Sequence, residues 1–173
     1  MEFRRLTDVE NGMFAPAMDL YKHSFPHHEQ REEASQARIM GEGEYHFDLI
    51  FDGDTWVGEI LNWESGDFIY VEHFCILPEL RNRQYGQRAL EALAGRGKVV
   101  ILEIDPPVDE VSIRRKGFYE RCGYHANDFT HVHPPYHQGM DGHGLVVMSS
   151  PRQLSREEYE GFSAYLRETV MGQ

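Results

Sequence analysis

Three runs of strand-forming residues follow one another with only turn chemistry between them, and no other feature restricts the fold as much. Tyr45 to Phe51, Thr55 to Trp63 and Phe68 to Ile76 are rich in aromatic and β-branched side chains. Asp52-Gly53-Asp54 and Glu64-Ser65-Gly66-Asp67 separate them, and such short Asp, Gly and Ser loops favour hairpins. The spacing predicts an antiparallel meander. After Pro78 the period changes. Tyr85 to Leu93 predicts a helix with Ala89, Leu90 and Leu93 on its inner side, closed by Gly95 and Gly97. Lys98 to Ile104 is an almost unbroken apolar run, the pattern of a strand buried on both faces. Strand, helix and strand in this order make a β-α-β unit, whose strands lie parallel. Phe68 to Ile76 belongs to both motifs, so one sheet must hold them, mixed but mostly antiparallel.

The flanking segments supply its helices. Phe3 to Leu6 reads as a short strand, and Met13 to His23 as a helix with Phe14, Met18 and Tyr21 on one face, ended by Phe25-Pro26. Glu29 to Met40 predicts a second helix, stopped by Gly41-Glu42-Gly43, and Val111 to Cys122 another, capped by Gly123. Strands are expected near Tyr124 to Val132 and Leu145 to Ser149. Ser155 and Glu158 form a capping box for a last amphipathic helix. With no repeat or linker, the expectation is an α+β class and a single domain over residues 1–173, within the roughly 100 to 200 residues usual for one domain.

Charge narrows the partners. Seventeen basic against twenty-nine acidic residues leave a net charge of -12, which opposes binding to nucleic acid or an anionic membrane surface. No apolar run approaches the ~20 residues of a membrane span. The chain starts without a signal peptide, so Cys75 and Cys122 are expected to be reduced thiols and the protein cytoplasmic. Against the average, Arg81, Arg83, Arg88, Arg96 and Lys98 stand with Glu91 alone between them. Ile76 to Arg88 reads as strand, short basic loop and helix N-terminus, where unpaired N–H groups and arginines suit a small phosphate-bearing anion. An ordinary solvated β-α turn is the plainer reading.

Those residues resemble the GNAT N-acetyltransferase superfamily. Its cofactor loop commonly reads Arg-Gly-Lys-Gly-x-Gly; Arg81 and Gly86 match, whereas Asn82 and Gln84 replace glycines and Arg88 a small residue. A side chain at Gln84 would crowd the pyrophosphate or demand an unfavourable backbone angle. Phe118-Tyr119-Glu120-Arg121-Cys122-Gly123-Tyr124 looks like the family's Phe-Tyr-Glu-x-x-Gly-Phe signature, with Ser112 where an asparagine often stands. The resemblance implies a sheet splayed at its parallel pair and acetyl-CoA as acetyl donor. It further implies donor contacts from Phe74, Cys75, Ile76, Arg81, Asn82, Arg83, Gln84, Tyr85, Gly86, Gln87, Arg88, Ser112 and Tyr119. The acceptor would be a primary amine of a small molecule or peptide, cationic in view of the acidity, attacking directly. The protein would be a monomer or homodimer. A binding module that senses acyl-CoA without catalysis is the alternative.

Such a transfer needs a base to strip the ammonium and an acid for the departing thiolate. Glu72, a carboxylate in mid-strand among aromatic residues, is the first candidate base, unless it is simply ion-paired. His73 has a suitable intrinsic pKa, but strand alternation places it on the opposite face from Glu72. Glu103 is the third candidate. Tyr119 is the candidate acid, or else a core tyrosine. Phe25, Glu29 and Tyr136 are candidate acceptor contacts. Five histidines lie at His125, His131, His133, His137 and His143, and a histidine-dependent metal protein is a further rival. No cysteine or carboxylate pattern fixes a site there, so no metal is expected.

Overall fold

A computed structural model describes residues 1–172. Its elements in chain order are β1 (Glu2–Leu6), α1 (Phe14–Ser24), α2 (Glu33–Ile39), β2 (Tyr45–Asp52), β3 (Thr55–Glu64), β4 (Phe68–Ile76), α3 (Tyr85–Ala94), β5 (Val99–Ile104), α4 (Glu110–Arg121), β6 (His125–Ala126), β7 (His131–His133), β8 (His143–Ser150) and α5 (Arg156–Tyr165). One mixed sheet runs β1-β2-β3-β4-β5-β8-β6, with β7 also on β8. Only β4 and β5 are parallel; every other pairing is antiparallel. This is the α+β class with the expected meander and β-α-β unit.

Alternation along the strands divides the core into two layers. Between the sheet and α1, α2 and α5, Phe47, Leu49, Leu61, Trp63 and Tyr70 of the sheet pack with Phe162 of α5. Between the sheet and α3 and α4, Ile60, Ile69, Val71 and Leu102 of the sheet pack with Leu90 and Leu93 of α3. One irregularity matters for the site. Asn62 pairs with Val71 but Leu61 pairs with His73, so Glu72 is an extra residue in β4. Such a bulge leaves two consecutive side chains on one side of the sheet.

Two segments depart from expectation. The second helix begins only at Glu33, because His27–Glu29 forms one 3-10 turn and Gln30 and Glu32 are extended. Between them the Arg31 side chain turns inward to a carboxylate on the sheet, which a continuous helix from Glu29 would not allow. Tyr124 to Val132 is not one strand but two short ones. Asn127 interrupts them: its side chain donates to the Val147 carbonyl and the Ser149 hydroxyl and accepts from Leu154 N–H, tying the loop to β8 and to the start of α5. Among the described residues no helix is long and apolar enough to cross a membrane.

Candidate functional site

The parallel pair is short. β4 meets β5 only at Phe68–Val99, Ile69–Val100 and Tyr70–Ile101, although the strands continue to Ile76 and Ile104. Beyond Tyr70 the strands therefore splay, and the β5-facing edge of Phe74, Cys75 and Ile76 has no ladder partner, leaving hydrogen-bonding groups for an extended guest. At the end of β4 the chain turns through Pro78–Leu80 into α3. Asn82 and Gln84 take φ of 62° and 66°, the left-handed region, at the two positions where the family loop has glycine. The loop thus keeps the glycine geometry with larger side chains. Arg88 N–H makes the first intrahelical bond, to Gln84, so the N–H groups of Tyr85, Gly86 and Gln87 open toward the loop. This cradle fits a pyrophosphate.

Not every cradle residue faces a guest. A Cβ at Gly86 would lie 3.2 Å from Phe118, so the glycine serves the close approach of α3 to α4. Arg88 makes a two-pronged pair with Asp52 at 3.0 and 3.1 Å, and Arg96 and Lys98 pair with Glu64. The local basic excess at the loop therefore comes down to exposed Arg81 and Arg83. Gln87 bonds Glu91 along the helix. Ser112 departs further from its expected part as a donor contact: it is buried, its hydroxyl accepts from Val108 and Asp109 N–H, and it completes the capping box of α4. With its bonding used locally, it holds the helix start instead.

Besides Asp48 on β2, the described residues of the sheet bury three glutamate side chains. Glu72 accepts from Arg31 at 2.7 Å, Trp63 Nε1 at 2.7 Å and Tyr136 hydroxyl at 2.9 Å, and its side chain and that of Arg31 are 1% and 3% exposed. Burial pushes its pKa up, but the Arg31 charge and these donors bring it down to about 2. This lacks the raised pKa asked of the first candidate base; Glu72 is an ion-paired structural carboxylate. Tyr136 turns its hydroxyl into the same network. Glu103 is bound by His131 Nε2 at 2.5 Å and by the Tyr70 hydroxyl, and His131 in turn meets Tyr159 at 2.8 Å. Burial opposes ionisation there too, yet the His131 bond holds the carboxyl below its usual range. Both ring nitrogens of His131 are thus engaged, and among the described residues no group of three or more His, Cys, Asp or Glu is arranged to hold a metal.

His73 corrects the alternation argument. The bulge puts it on the same side as Glu72, where its ring packs against Tyr21 at 4.8 Å, Phe25 at 4.8 Å and Tyr136 at 5.7 Å. Nε2 lies 2.8 Å from the Glu29 carbonyl, to which it donates, leaving the buried Nδ1 lone pair without a partner. Burial lowers its pKa. Glu29 itself is half-buried, with its carboxyl raised by burial and by nearby Asp105. Tyr119 sits against Phe118 and Tyr124, its hydroxyl pushed up to about 12 by burial, and no protein group bonds it among the described residues.

The third carboxylate was not anticipated. Glu59 lies on β3 opposite Cys75, with no exposed surface, and its Oε2 has no partner. Burial alone raises it to about 9. Val57-Gly58-Glu59-Ile60-Leu61 carried the signal that singled out Glu72 and Glu103, a carboxylate inside an apolar strand. Arg31 had no such signal, being one basic residue among Glu29, Glu32 and Glu33.

Comparison with known proteins bears on this arrangement. Residues 14–124 match the profile of the Acetyltransferase (GNAT) family. A GNAT-family protein from Bacteroides thetaiotaomicron is 32% identical, covering 100% of this chain and 99% of its own, with a TM-score of 0.93. At fold level the chain is also similar to an aminoglycoside 6'-N-acetyltransferase complexed with coenzyme A (18% identity, 87% and 96% of the chains, TM-score 0.58). The ribosomal-protein-S18-alanine N-acetyltransferase from Escherichia coli is similar at the same level (18%, 90% and 96%, TM-score 0.57). The search of curated proteins returned no match. The splayed parallel pair, the left-handed cradle and the matched profile together place this chain in the GNAT acetyltransferase family.

Proposed function

We propose that the protein is an acetyl-CoA-dependent N-acetyltransferase acting on a primary amine. The observation that carries the reading is the unpartnered main chain of Phe74 to Ile76 leading into the cradle of Arg81 to Gln87. Acetyl-CoA, when bound, would supply an activated acyl carbon for the amine to attack. Main-chain groups of Phe74, Cys75 and Ile76 would hold and orient the donor arm, and the first-turn N–H groups of α3 with Arg81 and Arg83 its phosphates. His73 Nδ1 is the proton acceptor, since Nε2–H is fixed on Glu29 and Glu72 and Glu103 are held as carboxylates by Arg31, His131 and further hydrogen-bond donors. The Tyr119 hydroxyl, free of protein partners, would hydrogen-bond and protonate the departing sulfur. Phe25, Glu29 and Asp105 border the side from which a cationic acceptor would approach. The capture of both expected catalytic carboxylates by structural partners favours one alternative, an acyl-CoA sensor that does not turn over.

Calorimetric titration with acetyl-CoA, with 3′-dephospho-CoA as control, tests the reading. Micromolar binding that weakens in the control supports the cradle; no binding at millimolar donor overturns it. A primary-amine screen for CoA release then separates enzyme from sensor, because a sensor binds without turnover.

A further inference from the structure

Seven buried side-chain polar atoms lack a partner among the described residues, and three of them gather under the turn from α1 to α2. These are Glu59 Oε2, Ser24 Oγ and His73 Nδ1. Cys75 ties them together. Its sulfur is 4.0 Å from Glu59 Oε1, Ser24 lies close enough to act on its thiol, and it follows His73 by two residues on the same side of β4, about 7 Å along the strand. Tyr21 closes the group, packing on the His73 ring at 4.8 Å. From β2 the residue beside Glu59 is Leu49, which brings no charge. The other titratable or charged groups nearby are Arg81, which acts on Cys75, and the Arg31–Glu72 pair and His133, which act on His73.

Leaving three polar atoms unbonded in one buried place is costly, unless a guest supplies the missing bonds. Each can accept a hydrogen bond: a carboxyl oxygen, a hydroxyl oxygen and an imidazole lone pair. A protonated primary amine has three N–H donors and one positive charge, and the one ionisable acid of the group has no counter-charge of its own.

We infer that Glu59, Ser24 and His73 form the seat for the ammonium group of a primary-amine acceptor, with Glu59 as its counter-ion. The inference rests on the acetyltransferase reading and deepens it by assigning the residues that recognise the amine. The balance is simple. The neutral Glu59 carboxyl gives up its proton to solvent as the ammonium enters with all of its own, so a buried charge appears only when a partner is present. One N–H then points at His73 Nδ1, the proposed proton acceptor. A secondary or tertiary ammonium leaves one or two of the three acceptors unbonded and binds more weakly.

The test is titration of the protein with n-butylamine, at neutral pH and without acetyl-CoA, in buffers of different ionisation enthalpy. The wild type is expected to release about one proton per amine bound. Glu59→Gln, which copies the neutral acid in shape, is expected to release none and to bind butylamine on the order of 10- to 100-fold more weakly. Ser24→Ala is expected to weaken binding with proton release retained. Trimethylbutylammonium, with no N–H, should compete poorly. Butylamine affinity and proton release unchanged in Glu59→Gln overturn the inference. No butylamine binding by the wild type overturns it too. Acetyl-CoA affinity, measured on the same variants, is expected to be unaltered. Its absence in the wild type alongside intact amine-linked proton release would sink the acetyltransferase reading while leaving the ammonium seat standing.

Discussion

Glu72 and Glu59 lie on neighbouring strands, on the same face of the sheet, and both are cut off from water, yet they end in opposite protonation states. Glu72 meets a guanidinium and two further donors and sits at about 2; Glu59 meets no cation and sits at about 9. Burial acts alike on both, so the partner decides. Glu72 is committed to holding Arg31, α2 and the end of the chain against the sheet, for Arg31 also bonds the Val170 carbonyl at 3.0 Å. Glu59 holds nothing, and what stays uncommitted inside a fold is what a ligand can use.

The comparison can be broken most forcefully at Glu72. Glu72→Gln removes one half of a buried ion pair and leaves Arg31 uncompensated, so urea unfolding should show a loss of about 3 to 5 kcal/mol. A loss below about 1 kcal/mol would mean that Glu72 is no structural anchor. Tyr119→Phe should leave the stability set by both carboxylates nearly unchanged while lowering kcat about 100-fold, at constant acetyl-CoA affinity. A parallel fall in donor affinity would recast Tyr119 as a packing residue.

Acid and alkaline unfolding sharpen the comparison, because the two groups have opposite signs. Glu72, lowered in the fold, adds stability that is present above the ordinary carboxylate pKa near 4.5 and is lost as pH falls toward about 2. Glu59, raised in the fold, binds a proton that the unfolded chain has released, so its contribution falls from pH ~4.5 up to about 9 and then levels. In that window the Glu59→Gln protein should gain on the wild type by up to about 1.4 kcal/mol per pH unit. Parallel pH–stability curves for the two proteins would show that Glu59 is ionised at neutral pH. The smallest effect is expected in the cradle. Gln84→Gly removes a left-handed strain of roughly 1 to 2 kcal/mol but frees the unfolded chain, for a net gain of about 0.5 to 1 kcal/mol. A net loss in urea would show that the Gln84 side chain has a structural bond to give up.

Much of the fold was legible because its signals are local. Gly53 at φ 61° does turn the first hairpin, and Ser155 with Glu158 does cap the last helix. The β4 bulge was not, since an extra residue in a strand changes neither composition nor periodicity enough to be seen from one chain. It reversed the expected placement of His73. The acidic stretch from Glu29 looked helical because helix propensity says nothing of Arg31 reaching a carboxylate 41 positions away. The same blindness governed the site. Sequence offers carboxylates in apolar strands as a set, but which of them finds a partner depends on Arg31 and His131, both distant along the chain. Where the comparison with known proteins reached, it bore on family and fold; the choice among acids came only from three-dimensional neighbours.

The extra residue at Glu72 acts on the chain as a change of parity. Before it, odd-numbered Ile69 and Val71 face α3 and α4; after it, even-numbered Phe74 and Ile76 do, and odd-numbered His73 and Cys75 turn to the side of α1 and α2. Deleting Glu72 would let Val71 and His73 follow one another in regular alternation with every later pairing kept, whereas ironing out the bulge without a deletion would set Glu72 opposite Leu61 and turn every downstream side chain to the other side. The strand stores its chemistry as a count, and the count is set at one position.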